Sequence, residues 1–86
     1  MPLYLVERQF AEQLEMSEEG LRGIEAVNAE SGVEWLHSFL SADRRKTYCL
    51  YQAADPDAIR RAAERAGIPA DKIIEVAKFD PKAPAL

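Results

Sequence analysis

The chain contains one histidine, His37, which lies within residues 33–40, a segment that otherwise reads as a buried β-strand. Imidazole is the side chain whose ordinary pKa lies closest to neutral pH, and it is also the commonest metal ligand in proteins. His37 is therefore the first candidate for proton transfer or metal binding. The competing interpretation is a hydrogen-bonded packing residue, so the groups that the fold brings beside His37 decide its role.

Two glutamates and the single cysteine are the other candidates. Glu7 and Glu75 each interrupt an apolar segment, and carboxylates with an imidazole suit a borderline divalent ion such as nickel, zinc, iron or copper. The alternative for both acids is a solvated position near a strand end. Cys49 lies in mid-strand without a base beside it in the sequence, so we predict a small buried residue rather than a nucleophile or a ligand.

The composition is that of one ordinary globular domain, with 86 residues of which 48% are hydrophobic and 30% charged. The net charge of −4 and the lack of a clustered basic surface argue against nucleic-acid binding. No stretch approaches the roughly 20 apolar residues of a membrane span, and the first residues lack the pattern of a signal peptide. We therefore expect a cytoplasmic protein that binds neither nucleic acid nor membranes.

Hydrophobic patterns and turn signals predict six elements in the order β-α-β-β-α-β. Ser17 is a plausible N-cap for the first helix, and Asp55 with Pro56 begins the second. The order predicts an α+β, ferredoxin-like sandwich, in which both helices cover one face of a four-stranded antiparallel sheet. We expect a single domain over residues 1–80 and a flexible tail at 81–86. The predicted strands are 3–10, 33–41, 47–52 and 73–79, and the helices are 18–31 and from Pro56 to Gly67.

The sheet face that the helices leave open is predicted to carry the function. A hairpin centred on Asp43 and Arg44 places His37 on that face together with Trp35, Phe39, Tyr48, Leu50 and Gln52. The same alternation puts Glu7, Ile73 and Glu75 on the open face and Ile74 and Val76 under the helices. An exposed layer of aromatic residues is an interaction surface. We therefore predict a homodimer packed sheet to sheet, with a metal bound by His37, Glu7 and Glu75.

Four segments resemble a family of small bacterial nickel-binding, nickel-responsive proteins, much of which is described as a domain of unknown function. They are residues 4–8 (YLVER), 35–39 (WLHSF), 42–43 (AD) with 46–51 (KTYCLY), and 55–60 (DPDAIR). The similarity runs from about residue 2 to residue 80 and includes the break Gly67-Ile68-Pro69. The resemblance implies a ferredoxin-like fold, a dimer, and nickel binding that involves residues of the dimer.

The chain departs from the family pattern at two positions. Gln52 stands where a glutamate is expected after the second tyrosine of the third strand, which removes an anionic ligand. Arg44 stands where the turn usually has glycine, which should strain a left-handed turn position or change the turn type.

Three functions fit these observations. The first, which we predict, is a homodimeric protein that binds nickel(II) or a similar divalent transition metal through His37 with Glu7 or Glu75. The second is a dimeric α/β-barrel enzyme, in which His37 acts as a general base on a small organic substrate. The third is a non-catalytic dimerisation or regulatory module.

Overall fold

The computed structural model describes residues 1–12, 14–15 and 17–83, and its elements follow the predicted β-α-β-β-α-β order. The strands form one antiparallel sheet in the order β2-β3-β1-β4, so the predicted ferredoxin-like fold is confirmed. Residues 84–86 of the expected tail lie outside the described residues. The elements are β1 (Leu3–Gln9), α1 (Glu18–Glu30), β2 (Glu34–Leu40), β3 (Lys46–Gln52), α2 (Pro56–Ala66) and β4 (Lys72–Val76).

Both helices begin at the predicted caps. The Ser17 hydroxyl accepts a hydrogen bond from the Gly20 N–H at 3.0 Å, and the Asp55 carboxylate accepts one from the Ala58 N–H at 2.9 Å. These side chains satisfy N–H groups that the first turn of a helix leaves unpaired. Helix α2 ends at Gly67, whose φ of 70° is the left-handed conformation that glycine adopts without strain. Within the described residues, no helix has the length and apolar character needed to cross a lipid bilayer.

The core lies between the sheet and the helices. The helix-facing side of the sheet contributes Tyr4, Val6, Cys49 and Tyr51, and α2 covers them with a narrow stripe that includes Ile59 and three alanines. Small alanine side chains let α2 lie close to the sheet. Cys49 is a buried free thiol, as predicted. Helix α1 has two buried residues in the described chain, Ile24 and Asn28, whereas α2 has four, so α1 buries less of its surface.

The pairing of β2 with β3 departs from the predicted register at one end. Phe39 faces Tyr48 and His37 faces Leu50, as predicted, but a bulge at Leu36 shifts the remaining pairs. Trp35 therefore faces Tyr51 on the helix side, and its predicted place on the open face is wrong. One extra residue reverses the alternation beyond it. On the helix side the Trp35 indole stacks on Tyr51, with the ring centroids 6.2 Å apart. Its Nε1 donates a hydrogen bond to the Ser38 hydroxyl at 2.6 Å.

Strand β4 also differs from the prediction by one residue. Ile73 faces Val6 and Glu75 faces Tyr4 on the helix side, whereas Ile74 faces Leu5 on the open face, where it is 51% exposed. Because Ile73 and Ile74 are adjacent, the sequence does not indicate which of the two faces the helices. The register is determined instead by Asp71, whose N–H donates to the Glu7 carbonyl at 2.9 Å and whose carboxylate accepts from the Gln9 N–H at 2.7 Å.

The turn between β2 and β3 carries the strain that the sequence predicts. Arg44 has a φ of 63° and is, among the described residues, the one non-glycine residue with positive φ. Its carbonyl accepts from the Leu14 N–H at 2.7 Å, and its guanidinium donates to the Leu14 carbonyl at 2.9 Å. The turn is therefore tied by two hydrogen bonds to Leu14, which lies between β1 and α1.

Comparing two variants of Arg44 tests this strain. Arg44→Gly and Arg44→Ala both remove the side chain and its hydrogen bond, but the left-handed backbone disfavours alanine alone. We expect the glycine variant to have the higher free energy of unfolding, by about 1 kcal/mol, measured by urea denaturation. If the two variants were equally stable, or if the alanine variant were the more stable, the turn would not be strained.

Candidate functional site

The open face of the sheet is the side that α1 and α2 do not cover. Its exposed apolar groups include Phe39, which is 64% exposed, and Ile74 on the opposite edge strand. Leu5 and Leu50 lie between them on the two central strands. The residues that the strand pairing places on this face are Leu3, Leu5, Glu7, Gln9, Glu34, His37, Phe39, Lys46, Tyr48, Leu50, Gln52, Lys72, Ile74 and Val76.

His37 lies on the open face of the edge strand β2 and is exposed. Its ring meets the Phe39 ring edge to face, with centroids 4.9 Å apart. The bulge explains this neighbourhood, because it removes Trp35 from the face and leaves the imidazole at the boundary between Phe39 and solvent. An exposed imidazole keeps a ring nitrogen accessible for a proton or a metal ion.

Glu7 is on the same face but has basic neighbours. Its carboxylate lies 3.6 Å from the Lys46 ammonium and 4.0 Å from that of Lys72. The two lysines compensate the acid where it is partly buried on an apolar surface. Sequence reasoning missed both lysines, because their positions beside Glu7 depend on the registers of β3 and β4.

The predicted ligand set is not assembled within one protomer. Glu75 lies on the helix side, so its predicted place on the open face is wrong. His37 and Glu7 share the face, but β3 runs between their strands, a separation of about 10 Å. Among the described residues, no group of three or more histidine, cysteine, aspartate or glutamate side chains could hold a metal ion.

Glu34 is a candidate that sequence reasoning missed. The bulge at Leu36 lets Glu34 face Gln52 on the open side, the side that carries His37 three residues later. Regular alternation would have placed Glu34 on the opposite face from His37. A bulge leaves no clear mark in a single sequence, so no available signal indicated this pair.

An enclosed substrate site beside His37 is not present in the described part of one protomer. His37 borders a shallow groove at the sheet edge together with Leu21 and Glu25 of α1. A deeper cavity of about 190 Å³ lies on the helix side, where Arg8, Cys49 and Tyr51 line it. His37 does not line this cavity, but the cavity and the groove share Leu21, Trp35 and Ser38, and Phe39, whose ring contacts His37, also borders the cavity.

Residues 4–76 match the sequence model of the family described as "Nickel responsive protein SCO4226-like". The chain belongs to this nickel responsive family. The match covers both central strands, the bulged strand that carries His37, and both helices. The expected family resemblance is thereby confirmed.

One solved structure supports the fold of this member of the nickel responsive family. The crystal structure of SCO4226 from Streptomyces coelicolor A3(2) superposes with a TM-score of 0.77 over 91% of this chain and 99% of that chain. The two sequences are 21% identical, so the likeness concerns the fold. No curated protein matches the chain.

Removing the Glu7 carboxylate tests its pairing with the lysines. We expect Glu7→Gln to lower the free energy of unfolding by about 0.5 kcal/mol at low salt and by less at high salt, because both lysines are solvent-accessible. Glu75→Gln is the matched control on the other face. Thermal denaturation of both variants at two salt concentrations measures the difference, and an identical salt response would argue against the pairing.

Proposed function

We propose that this protein is a homodimer that binds nickel(II) or a similar divalent transition metal through His37. The observation that carries the proposal is an accessible imidazole on an apolar sheet face that the helices leave uncovered. The name of the family links its members to nickel. Cys49, a free thiol, fits the reducing cytoplasm, where we propose that the protein acts.

The open face favours a second copy of the chain as its partner. It presents aliphatic and aromatic groups across all four strands, and a monomer rarely leaves such a continuous apolar surface in water. Lys46, Glu7 and Lys72 lie towards one end of this face, and Glu34 lies towards the other end. Face-to-face packing would bury the apolar groups. A two-fold axis would make the same residues contact each other from both protomers.

Dimerisation would also supply the missing ligands. A two-fold axis repeats every ligand, so a site near the axis would receive His37 and a carboxylate from each protomer. Glu34 fits the acidic role better than Glu7, because two lysine ammonium groups already neutralise the Glu7 carboxylate. Imidazole nitrogen and carboxylate oxygen together suit nickel and zinc. Metal binding and dimerisation should therefore be linked.

Calorimetric titration with nickel and with zinc tests the metal ligand. We expect wild type to bind nickel and His37→Ala to lose at least about tenfold in affinity, since a ligand is removed. Glu75→Gln is the control, because this acid lies on the other face of the sheet. Unchanged affinity in His37→Ala would exclude His37 as a ligand, and an equal loss in the control would show a general effect of substitution.

Sedimentation of two adjacent β4 variants tests the interface. Ile74→Lys places a charge in the open face, so we expect it to shift the protein from dimer to monomer. Glu75→Lys places the same side chain on the helix side and should leave the dimer unchanged. A wild type that sediments as a monomer, or a dimer that tolerates Ile74→Lys, would contradict this interface.

A further inference from the structure

Arg8 is a buried cation on the helix side of β1. It is 4% exposed, and its guanidinium donates to the carbonyl of Pro69 and, at 2.9 Å, to the hydroxyl of Tyr51. Both acceptors are neutral. Among the described residues, no aspartate or glutamate forms an ion pair with Arg8. A buried charge without a counter-charge is costly, so this position favours an anion.

The cavity beside Arg8 is large enough to hold a small ligand. Its volume is about 190 Å³, and a cavity of about 150 Å³ is enough to hold benzene. Arg8, Thr47 and Tyr51 contribute polar atoms, while the rest of the lining is mainly apolar. The apolar residues come from β2, β3, α1, the segment before α1 and the segment after α2, and they are Phe10, Leu14, Leu21, Ile24, Trp35, Phe39, Leu40, Cys49 and Ile68.

Hydrogen-bond donors near this layer exceed the acceptors. A guanidinium has five N–H groups, and two of the Arg8 groups are engaged by Pro69 and Tyr51. The Tyr51 oxygen accepts from Arg8, which leaves its own proton to donate. The remaining Arg8 N–H groups and the Tyr51 proton have no acceptor among the side-chain hydrogen bonds of the described residues, and a carboxylate would provide one.

We propose that this cavity binds a small apolar monocarboxylate, with its carboxylate on Arg8 and its apolar part against Leu21, Ile24 and Trp35. A single guanidinium in an otherwise apolar cavity matches one negative charge and two oxygens. A phosphate group would bury additional charge and additional oxygens without donors for them. The site differs from the proposed metal site, because His37 does not line the cavity, although its neighbour Phe39 borders it.

The smaller buried surface of α1 gives such a ligand a structural effect. Leu21 and Ile24 border the cavity, and α1 has few other buried groups. A bound ligand would fill the space beneath α1 and add contacts between α1 and the sheet. Binding of the carboxylate would then make α1 more ordered.

Fluorescence and NMR titration with benzoate test the proposal. Trp35 is the single tryptophan of the chain and lines the cavity, so its emission reports occupancy. We expect benzoate to bind with a dissociation constant of about 1 mM or lower. Benzyl alcohol, a neutral molecule of similar shape, should bind at least about tenfold more weakly, because it lacks the charge that Arg8 would recognise.

Three variants locate the site. Arg8→Met should lose at least about tenfold in benzoate affinity, and Arg8→Lys should retain part of it. Ile24→Phe leaves the Arg8 charge in place but fills the cavity, so it should also weaken benzoate binding. This variant tests the site even if the Arg8 variants do not fold. His37→Ala should bind benzoate like wild type. The proposal would be overturned if benzyl alcohol bound as tightly as benzoate, or if millimolar benzoate gave no response. It would also be overturned if the Arg8 or Ile24 variants bound benzoate like wild type.

Discussion

The bulge at Leu36 in β2 is the constraint on which both sides of the sheet depend. Without it, Trp35 and His37 would share a face, and the indole would stand in solvent or in a partner. With the bulge, Trp35 lies on the helix side and stacks on Tyr51, while His37 lies on the open side and contacts Phe39. The burial of a large aromatic ring offsets the local loss of strand pairing. One additional residue thus places the packed indole and the exposed imidazole of β2 on opposite faces of the sheet.

The central strand β1 separates charge in a similar way. Glu7 and Arg8 are neighbours in sequence, and alternation sends them to opposite faces of the sheet. Glu7 meets two lysines on the open side, so its charge is compensated within the protomer. Arg8 donates to neutral groups beneath the helices, and no described carboxylate forms an ion pair with it. The two faces therefore offer different chemistry, with an exposed imidazole on one and a buried guanidinium on the other.

Local rules account for most of the fold. Ser17, Asp55 with Pro56, and Gly67 mark the helix ends in the sequence, and the structure uses each as a cap. The hairpin register near Arg44 follows from its short polar turn. Trp35 and β4 could not be placed in this way, because a bulge and a pair of adjacent isoleucines leave the alternation ambiguous. The relation of Glu34 to His37, and of Arg8 to Pro69, depends on contacts between distant parts of the chain.

The strand order has a consequence for how the chain acquires its structure. Strand β1 lies between β3 and β4, and both partners follow it by at least thirty-seven positions in the sequence. The β2–β3 hairpin can form from local contacts, but β1 must close long loops before it gains either neighbour. On a ribosome, β1 would therefore wait for most of the chain to emerge. The neighbouring residues Glu7 and Arg8, which lie on opposite faces, would reach their final surroundings together and late.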